Sequence, residues 1–248
     1  MTVHDFRSQR LFVDTPLAPA TRYACTRDQS NYLRNVLRLA SGAEILTFNG
    51  RDGEWRAQLK LEGKRDCTLV IIEQVRGQLP GPDIDYLFAP LKRARLDYMV
   101  QKATEMGVAT LQPVWTERTV ASRVNTERMR ANVIEAAEQC GVLRLPQVHQ
   151  PVKLADALSQ WPEHRLIIFA DEAADIAAPL AAFDGVDQGA PVAIIIGPEG
   201  GFAADERQLL RAMPQTRAVS LGPRIMRADT AAVALLALVN ATIGDWTQ

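Results

Sequence analysis

The sequence predicts an α/β protein in two parts, a small amino-terminal β-barrel with one helix and a larger carboxy-terminal domain built on a parallel sheet. Three observations predict it. Up to residue 76, short strand-like runs are separated by turn dipeptides. From residue 84 onward, strand-like and helix-like segments alternate, which is the pattern of a parallel α/β sheet. Pro191-Val192-Ala193-Ile194-Ile195-Ile196 is continuously apolar, β-branched and stopped by glycine, so it reads as a strand buried on both faces.

In chain order, Arg10 to Val13, Glu44 to Phe48, Trp55 to Leu61 and Cys67 to Val75 read as strands, with Asn49-Gly50 and Asp52-Gly53 as turn signals. Only Ser30 to Leu39 reads as a helix there. Gly77-Gln78-Leu79-Pro80-Gly81-Pro82-Asp83 is dense in breakers and reads as a linker, which divides the chain into 1–76, 77–83 and 84–248. Ile84 to Pro90 is strand-like, Arg95 to Met106 has helical spacing and stops at Gly107, and Thr110 to Trp115 is strand-like again. Asn125 or Thr126 can cap a helix that runs to Cys140, with Gly141 as its left-handed terminator. Leu166 to Ala170, Val192 to Ile196 and Ala218 to Leu221 supply further strands, separated by helical stretches from Lys153 and from Ala203. Thr230 to Ile243 is apolar on almost every side yet shorter than the ~20 residues that span a bilayer. Its apolar surface belongs either in the core or in a dimer interface. No repeat is visible, which sets aside a solenoid.

The 248 residues are 47% hydrophobic, enough for a substantial core. The first seven residues lack the apolar core of a secretion signal, so a cytoplasmic protein without membrane contact is expected. Cys25, Cys67 and Cys140, like His4, His149 and His164, are scattered, and neither a disulfide framework nor a metal site is indicated. Cys140 reads as a small buried hydrophobe on a helix. A formal charge of -1 lacks the strongly basic signature of many nucleic-acid binders, so any RNA contact must be local. One such patch is amino-terminal, where Arg7, Arg10, Arg22, Arg27, Arg34 and Arg38 outnumber the acids and Phe6, Phe12, Tyr23 and Tyr32 are interleaved. A solvated face is the alternative reading of those arginines.

Two glycine-bearing loops carry the chemistry: Gly197-Pro198-Glu199-Gly200-Gly201-Phe202 and Leu221-Gly222-Pro223-Arg224-Ile225-Met226-Arg227. Each follows a strand-like run and leads into a helix-like run, so both should open where ligands bind in an open α/β sheet. No Lys-Ser/Thr pair follows Gly201, and the glycine spacing is not Gly-x-Gly-x-x-Gly, so neither a nucleotide P-loop nor a dinucleotide fingerprint is present. A tight turn remains the alternative for a single loop of this kind. Two on successive strands, the second with Arg224 and Arg227, point to a site.

These residues resemble the motif pair of the SPOUT methyltransferases, and among them the ribosomal RNA small-subunit methyltransferases that modify N3 of a uridine in 16S ribosomal RNA. Further matches are Lys92 with Arg95, Gln101 to Val108, Pro113, Arg118, Ala136 to Gly141, Leu145-Pro146, Arg10-Leu11-Phe12 and Tyr32 to Arg38. The resemblance implies a PUA-like RNA-binding barrel and a SPOUT domain with a trefoil knot. It implies S-adenosylmethionine as cofactor, wrapped by the two loops and a third near Ala170-Asp171-Glu172. It also implies a homodimer and 16S ribosomal RNA within the small subunit as partner. Ile196, Gly197, Glu199, Gly200, Gly201, Leu221, Gly222, Ile225 and Met226 are the expected cofactor contacts. Arg10, Arg34, Arg38, Lys92, Arg118 and Arg144 are the expected RNA contacts. Met226 and Asp229 stand where the family usually has Leu and Glu, and Val142 stands where relatives often carry Arg.

Removing the proton from uracil N3 leaves negative charge on the imide, which a nearby arginine stabilises. Arg227 and Arg224 are the catalytic candidates, with phosphate contact or a structural carboxylate as their alternative duty. No histidine falls in any motif, and Glu199 and Asp229 can each be occupied locally, so no general base is assigned. A ribose 2′-O methyltransferase of the same superfamily and a non-catalytic RNA-binding protein are the alternative functions.

Overall fold

A computed structural model describes residues 8–174 and 178–247. The chain forms two units, Met1–Pro80 with Ala137–Arg144, and Gly81–Ala136 with Leu145–Gln248. Phe6 and Arg7 of the basic amino-terminal stretch lie outside the described residues.

The first unit is built on β1 (Arg10–Phe12), β2 (Arg22–Ala24), α1 (Arg27–Asn31), β3 (Glu44–Phe48), β4 (Glu54–Glu62) and β5 (Asp66–Arg76). Its sheet has the order β1-β3-β4-β5-β2 and is antiparallel except for the β1–β3 pair. It curls over Leu11, Val13, Leu33, Ile45, Leu59, Leu69 and Ile71 as a half-barrel with β1 and β2 at its edges. Strand β2 was not legible beforehand, because three residues, Arg-Tyr-Ala, are too few to show alternation. The helix begins three residues earlier than Ser30. Thr26 Oγ1 accepts from the Gln29 amide at 3.2 Å while Gln29 Oε1 accepts from the Thr26 amide at 2.9 Å, a reciprocal cap. A π-helical turn, Tyr32–Val36, continues it.

Arg10 is corrected here. It is 7% exposed, and its Nε donates to Glu54 Oε1 at 2.8 Å, while the equally buried Glu54 also pairs with Arg76 at 3.3 Å. A buried cation must be paired to offset its desolvation. Arg10 therefore spends its charge inside the unit and is not an RNA contact. Residues 137–144 join this unit through the Phe12 amide donating to Glu138 at 2.8 Å and Arg76 donating to the Gly141 carbonyl at 2.7 Å. Gly141, at φ +67°, terminates the helix as expected.

The second unit contains β6 (Ile84–Phe88), α2 (Arg93–Glu105), β7 (Thr110–Trp115), most of α3 (Thr126–Cys140), β8 (Gln147–Val148), β9 (Val152–Lys153), α4 (Leu154–Leu158), β10 (Leu166–Ala170), β11 (Val192–Ile196), α5 (Ala204–Ala212), β12 (Thr216–Val219) and α6 (Ala228–Thr242). Its strands are parallel in the order β12-β10-β11-β6-β7-β8, with β9 against the end of β7. Alternate residues of the continuous apolar strands enter different cores. Tyr86, Phe88, Ile168, Ile194 and Ile196 pack with α2, α3 and α6, whereas Leu87, Ile167, Phe169, Ala193 and Ile195 pack with α4 and α5.

Asn125 is the cap of α3, its side chain accepting from the Arg128 amide at 3.0 Å. Strand β12 runs two residues earlier than Ala218 to Leu221, because its pairing with β10 starts at Ile167↔Thr216 and ends at Ala170↔Val219. That frees Ser220 and Leu221 for the loop. Cys140 is also corrected: it is exposed at the last residue of α3 rather than buried. Strands β8 and β9, two residues each, carry no periodicity to read.

Candidate functional site

Because β12, β10 and β11 are adjacent and parallel, the segments that follow them leave at one edge. There they enclose a cleft of about 270 Å³, lined by Ala170 to Glu172, by Ile196 to Phe202, by Val219 to Gly222 and by Arg224 to Met226, with Ala228 and Ala231 of α6. Every expected cofactor residue, from Ile196 and Gly197 through Glu199, Gly200 and Gly201 to Leu221, Gly222, Ile225 and Met226, lines it. The third segment, Asp171-Glu172, lines it as well.

The loop after β11 is shaped from several sides. A turn closes from the Gly201 amide to the Pro198 carbonyl at 2.8 Å, and Gly201 sits at φ +69°, a conformation that costs a Cβ-bearing residue. Gly197 lies under the ring of Phe202, where a Cβ would meet Cε2 at 2.7 Å. Phe202 is 4% exposed and meets Phe169 edge to face at 5.0 Å. Arg118 donates to the Gly200 carbonyl at 2.8 Å, and Arg95 pairs with Glu199 at 3.0 Å. Helix α5 supports the loop after β10. Asp171, 2% exposed, accepts from Arg211 at 2.8 Å and pairs with Arg207 at 3.4 Å, while Arg207 also holds Glu172 at 3.1 Å.

The cleft's chemistry follows from its lining. Ile196, Val219, Leu221, Met226, Ala228 and Ala231 make an apolar floor. Among the described residues no backbone hydrogen bond engages Leu221 to Met226, so those amides and carbonyls are open to a ligand. A flat heterocycle with donor and acceptor edges can lie on the floor and bond to them, while Glu172 and Glu199, which also line the cleft, are held by Arg207 and Arg95. Among the described residues no histidine lines the cleft.

The expected cations fall in different places. Arg224 lines the cleft, and Arg227 stands just outside it as the exposed cap residue of α6. Neither pairs with a carboxylate among the described residues. Asp229 accepts from the Thr230 amide at 2.9 Å in the first turn of α6, where a carboxylate favours the helix. Beneath that turn Tyr86 is fully buried and donates to Met99 Sδ at 2.9 Å; burial, with the Asp229 charge added, pushes its phenol well above the ordinary range. Lys92 is exposed immediately before α2. Arg34 donates to the carbonyls of Asp66 and Gly63 at 2.8 and 3.2 Å, and exposed Arg38 has φ +54°. Arg118 is occupied at Gly200, and Arg144 bonds the Pro80 carbonyl.

Sequence reasoning missed Arg207 and Arg211 as supports of the site. Their i, i+4 spacing marks one face of a helix, but only the fold brings Asp171 beneath it.

Residues 78–240 match the family model of the RNA methyltransferase domain, and residues 26–72 match that of the RNA methyltransferase PUA domain. The chain is 30% identical to the ribosomal RNA small subunit methyltransferase E of Rickettsia conorii over 93% of this chain and 94% of that one. It is 32% identical to the enzyme of the same name from Synechocystis, over 88% of this chain and 72% of the other. Among solved structures, it resembles a ribosomal RNA small subunit methyltransferase E from Neisseria gonorrhoeae bound to S-adenosyl methionine, with TM-score 0.85, 25% identity, and 97% and 100% of the two chains covered. A putative methyltransferase from Legionella pneumophila with bound cofactor SAM matches at TM-score 0.83 and 27% identity, over 95% and 98%.

Proposed function

We infer the reaction from one premise: the chain belongs to the ribosomal RNA small subunit methyltransferase E family. It is an S-adenosylmethionine-dependent enzyme that methylates N3 of a uridine in 16S ribosomal RNA. The observation that carries this reading is the cleft at the ends of β10, β11 and β12, where an apolar floor meets an uncommitted backbone segment, Leu221 to Met226.

S-adenosylmethionine, when bound, supplies an electrophilic methyl group on a sulfonium. The chain's own contribution is to position and to stabilise charge. Ile196, Leu221 and Met226 offer the apolar surface, and the backbone groups of 221–226 offer hydrogen bonds. Holding the acceptor in line supplies much of the acceleration in a displacement. As the uracil imide loses its proton, Arg227 and Arg224, which pair with no carboxylate among the described residues, stabilise the developing negative charge. Glu199 is engaged by Arg95 and Asp229 by its own helix, so neither is assigned as proton acceptor.

The half-barrel, with Arg34 and Arg38, serves as the RNA-binding part, and the assembled small subunit in the cytoplasm is the substrate. The protein acts as a homodimer. Support comes from Ile225, whose side chain is 100% exposed at the cleft, and from half-exposed Val233, Ala234, Ala237 and Leu238 along α6.

The test is to supply labelled S-adenosylmethionine with naked ribosomal RNA and with small subunits, then identify the methylated nucleoside by mass spectrometry. N3-methyluridine is expected; a 2′-O-methylated ribose, or no transfer to either substrate, overturns the reading. Arg227→Ala is expected to abolish transfer while retaining S-adenosylmethionine binding and the parental melting temperature. Undiminished turnover would remove Arg227 from the mechanism.

A further inference from the structure

Beside the cofactor cleft lies a larger groove of about 940 Å³, between the start of α2 and the segment leading into α3. Lys92 and Arg93 stand on one wall and Arg123 on the other, over a floor that includes Leu91, Leu96 and Met129. Among the described residues lining it the one carboxylate, Asp97, is already satisfied: it accepts from Arg128 Nε and Nη2 at 2.8 and 2.7 Å and from Asn132 Nδ2 at 2.8 Å. Lys92, Arg93 and Arg123 pair with no carboxylate among the described residues. The groove is therefore cationic in a chain whose formal charge is -1.

Helix stability does not account for this charge. Cations at a helix amino terminus oppose its dipole, and the first turn of α2 has no acidic residue to offset Arg93. A smaller depression of about 330 Å³ connects the groove to the cofactor site. It shares Leu91, Lys92, Val120 and Ala121 with the groove and Glu199 with the cleft. One path thus leads from the methyl-donor loop, over the Arg95–Glu199 pair, into the groove.

We propose that this groove holds the phosphates of the single-stranded RNA adjoining the target uridine, with Arg93 and Arg123 neutralising them from opposite walls. The inference rests on the methyltransferase reading above. N3 lies on the edge of uracil that pairs in a duplex, so the target base must be unpaired, either flipped out or within a single strand; a cationic groove beside the cleft suits the single strand. A cationic groove that tracks the backbone is how proteins hold such a strand. The volume lies within the range of nucleotide-sized sites.

The test uses the full chain, the double variants Arg93→Ala/Arg123→Ala and Arg93→Lys/Arg123→Lys, and a single-stranded fragment of 16S ribosomal RNA. Each phosphate contact on single-stranded RNA contributes roughly 0.7 to the slope of log K against log salt, so the alanine pair should flatten the slope by about 1.4. It should also raise KM for small subunits while kcat and S-adenosylmethionine affinity stay parental, and the lysine pair should keep the parental slope. A parental slope and KM in the alanine pair overturn the groove, as does a lysine pair that loses as much slope as the alanine pair. Failure of the parent protein to methylate small subunits would instead overturn the reaction, and the salt slope would still decide the groove.

Discussion

Gly197→Ala puts one methyl group where the cleft is most tightly drawn. The added Cβ would lie 2.7 Å from Phe202 Cε2, 2.9 Å from Cδ2 and 3.2 Å from Cζ. Carbon contacts are comfortable near ~3.5 Å, so the ring must retreat by roughly 1 Å or the loop must move. The ring has little room, being 4% exposed and set edge to face on Phe169 at 5.0 Å. Overpacking of this kind costs about 1–3 kcal/mol. Taken as global stability, it lowers the melting temperature by roughly 2–4 °C per kcal/mol for a chain of this size. Taken instead as loop displacement, the same energy weakens S-adenosylmethionine binding by about 5- to 150-fold. Calorimetric titration with S-adenosylmethionine, alongside thermal melts, measures both routes. Gly200→Ala is the control, because its Cβ would meet only Arg118 carbons, the nearest at 3.6 Å. It should lose far less than Gly197→Ala. In a Phe202→Leu background, Gly197→Ala should cost less than in the parent, since the obstructing ring edge is gone. Parental affinity and melting temperature in Gly197→Ala would refute the reasoning.

Two further outcomes are expected. Hydrogen bonds from Arg128 hold the Asp97 carboxyl below the usual carboxylate range. Its contribution to stability is therefore present above the unfolded-chain value of about 3.9 and is lost as pH falls through the lower folded value. Asp97→Asn should melt below the parent at pH 7, with the gap closing at more acid pH; a gap that is constant from pH 7 to pH 3 contradicts the pairing. Burial, with Cys67 nearby, pushes the Cys25 thiol up to about 12, so its thiolate is scarce at pH 8. Iodoacetamide followed by peptide mass spectrometry should label exposed Cys140 first, and faster labelling of Cys25 would refute that burial.

Much of the fold was legible because it is written in local patterns. Strands β3, β7, β10 and β11 begin and end where their apolar runs do, and Asn125 and Gly141 bound α3 as their chemistry requires. The two glycine loops announced a ligand edge from their strand–loop–helix placement. The errors share one cause. Strand β2 and the two-residue β8 and β9 exist through pairing partners elsewhere in the chain, and β12 ends where β10 stops pairing with it. Whether an arginine is free is likewise set by what the fold packs against it. Arg10 reads in the sequence as part of a basic surface, whereas in the fold it is buried and pairs with Glu54, forty-four positions away.

The sequence by itself determined the α/β class, the family resemblance and which residues line the cleft at the sheet edge, because hydrophobic period and glycine placement are properties of neighbours along the chain. Only the tertiary structure decided which charges are available. It set Asp171 on Arg207 and Arg211, engaged Glu199 with Arg95 and Arg118 with Gly200, and, among the described residues, left Arg93, Arg123, Arg224 and Arg227 without a carboxylate partner. The physical reason is that Coulomb and hydrogen-bond energies depend on distance through space and on burial, and a sequence specifies neither until it has folded.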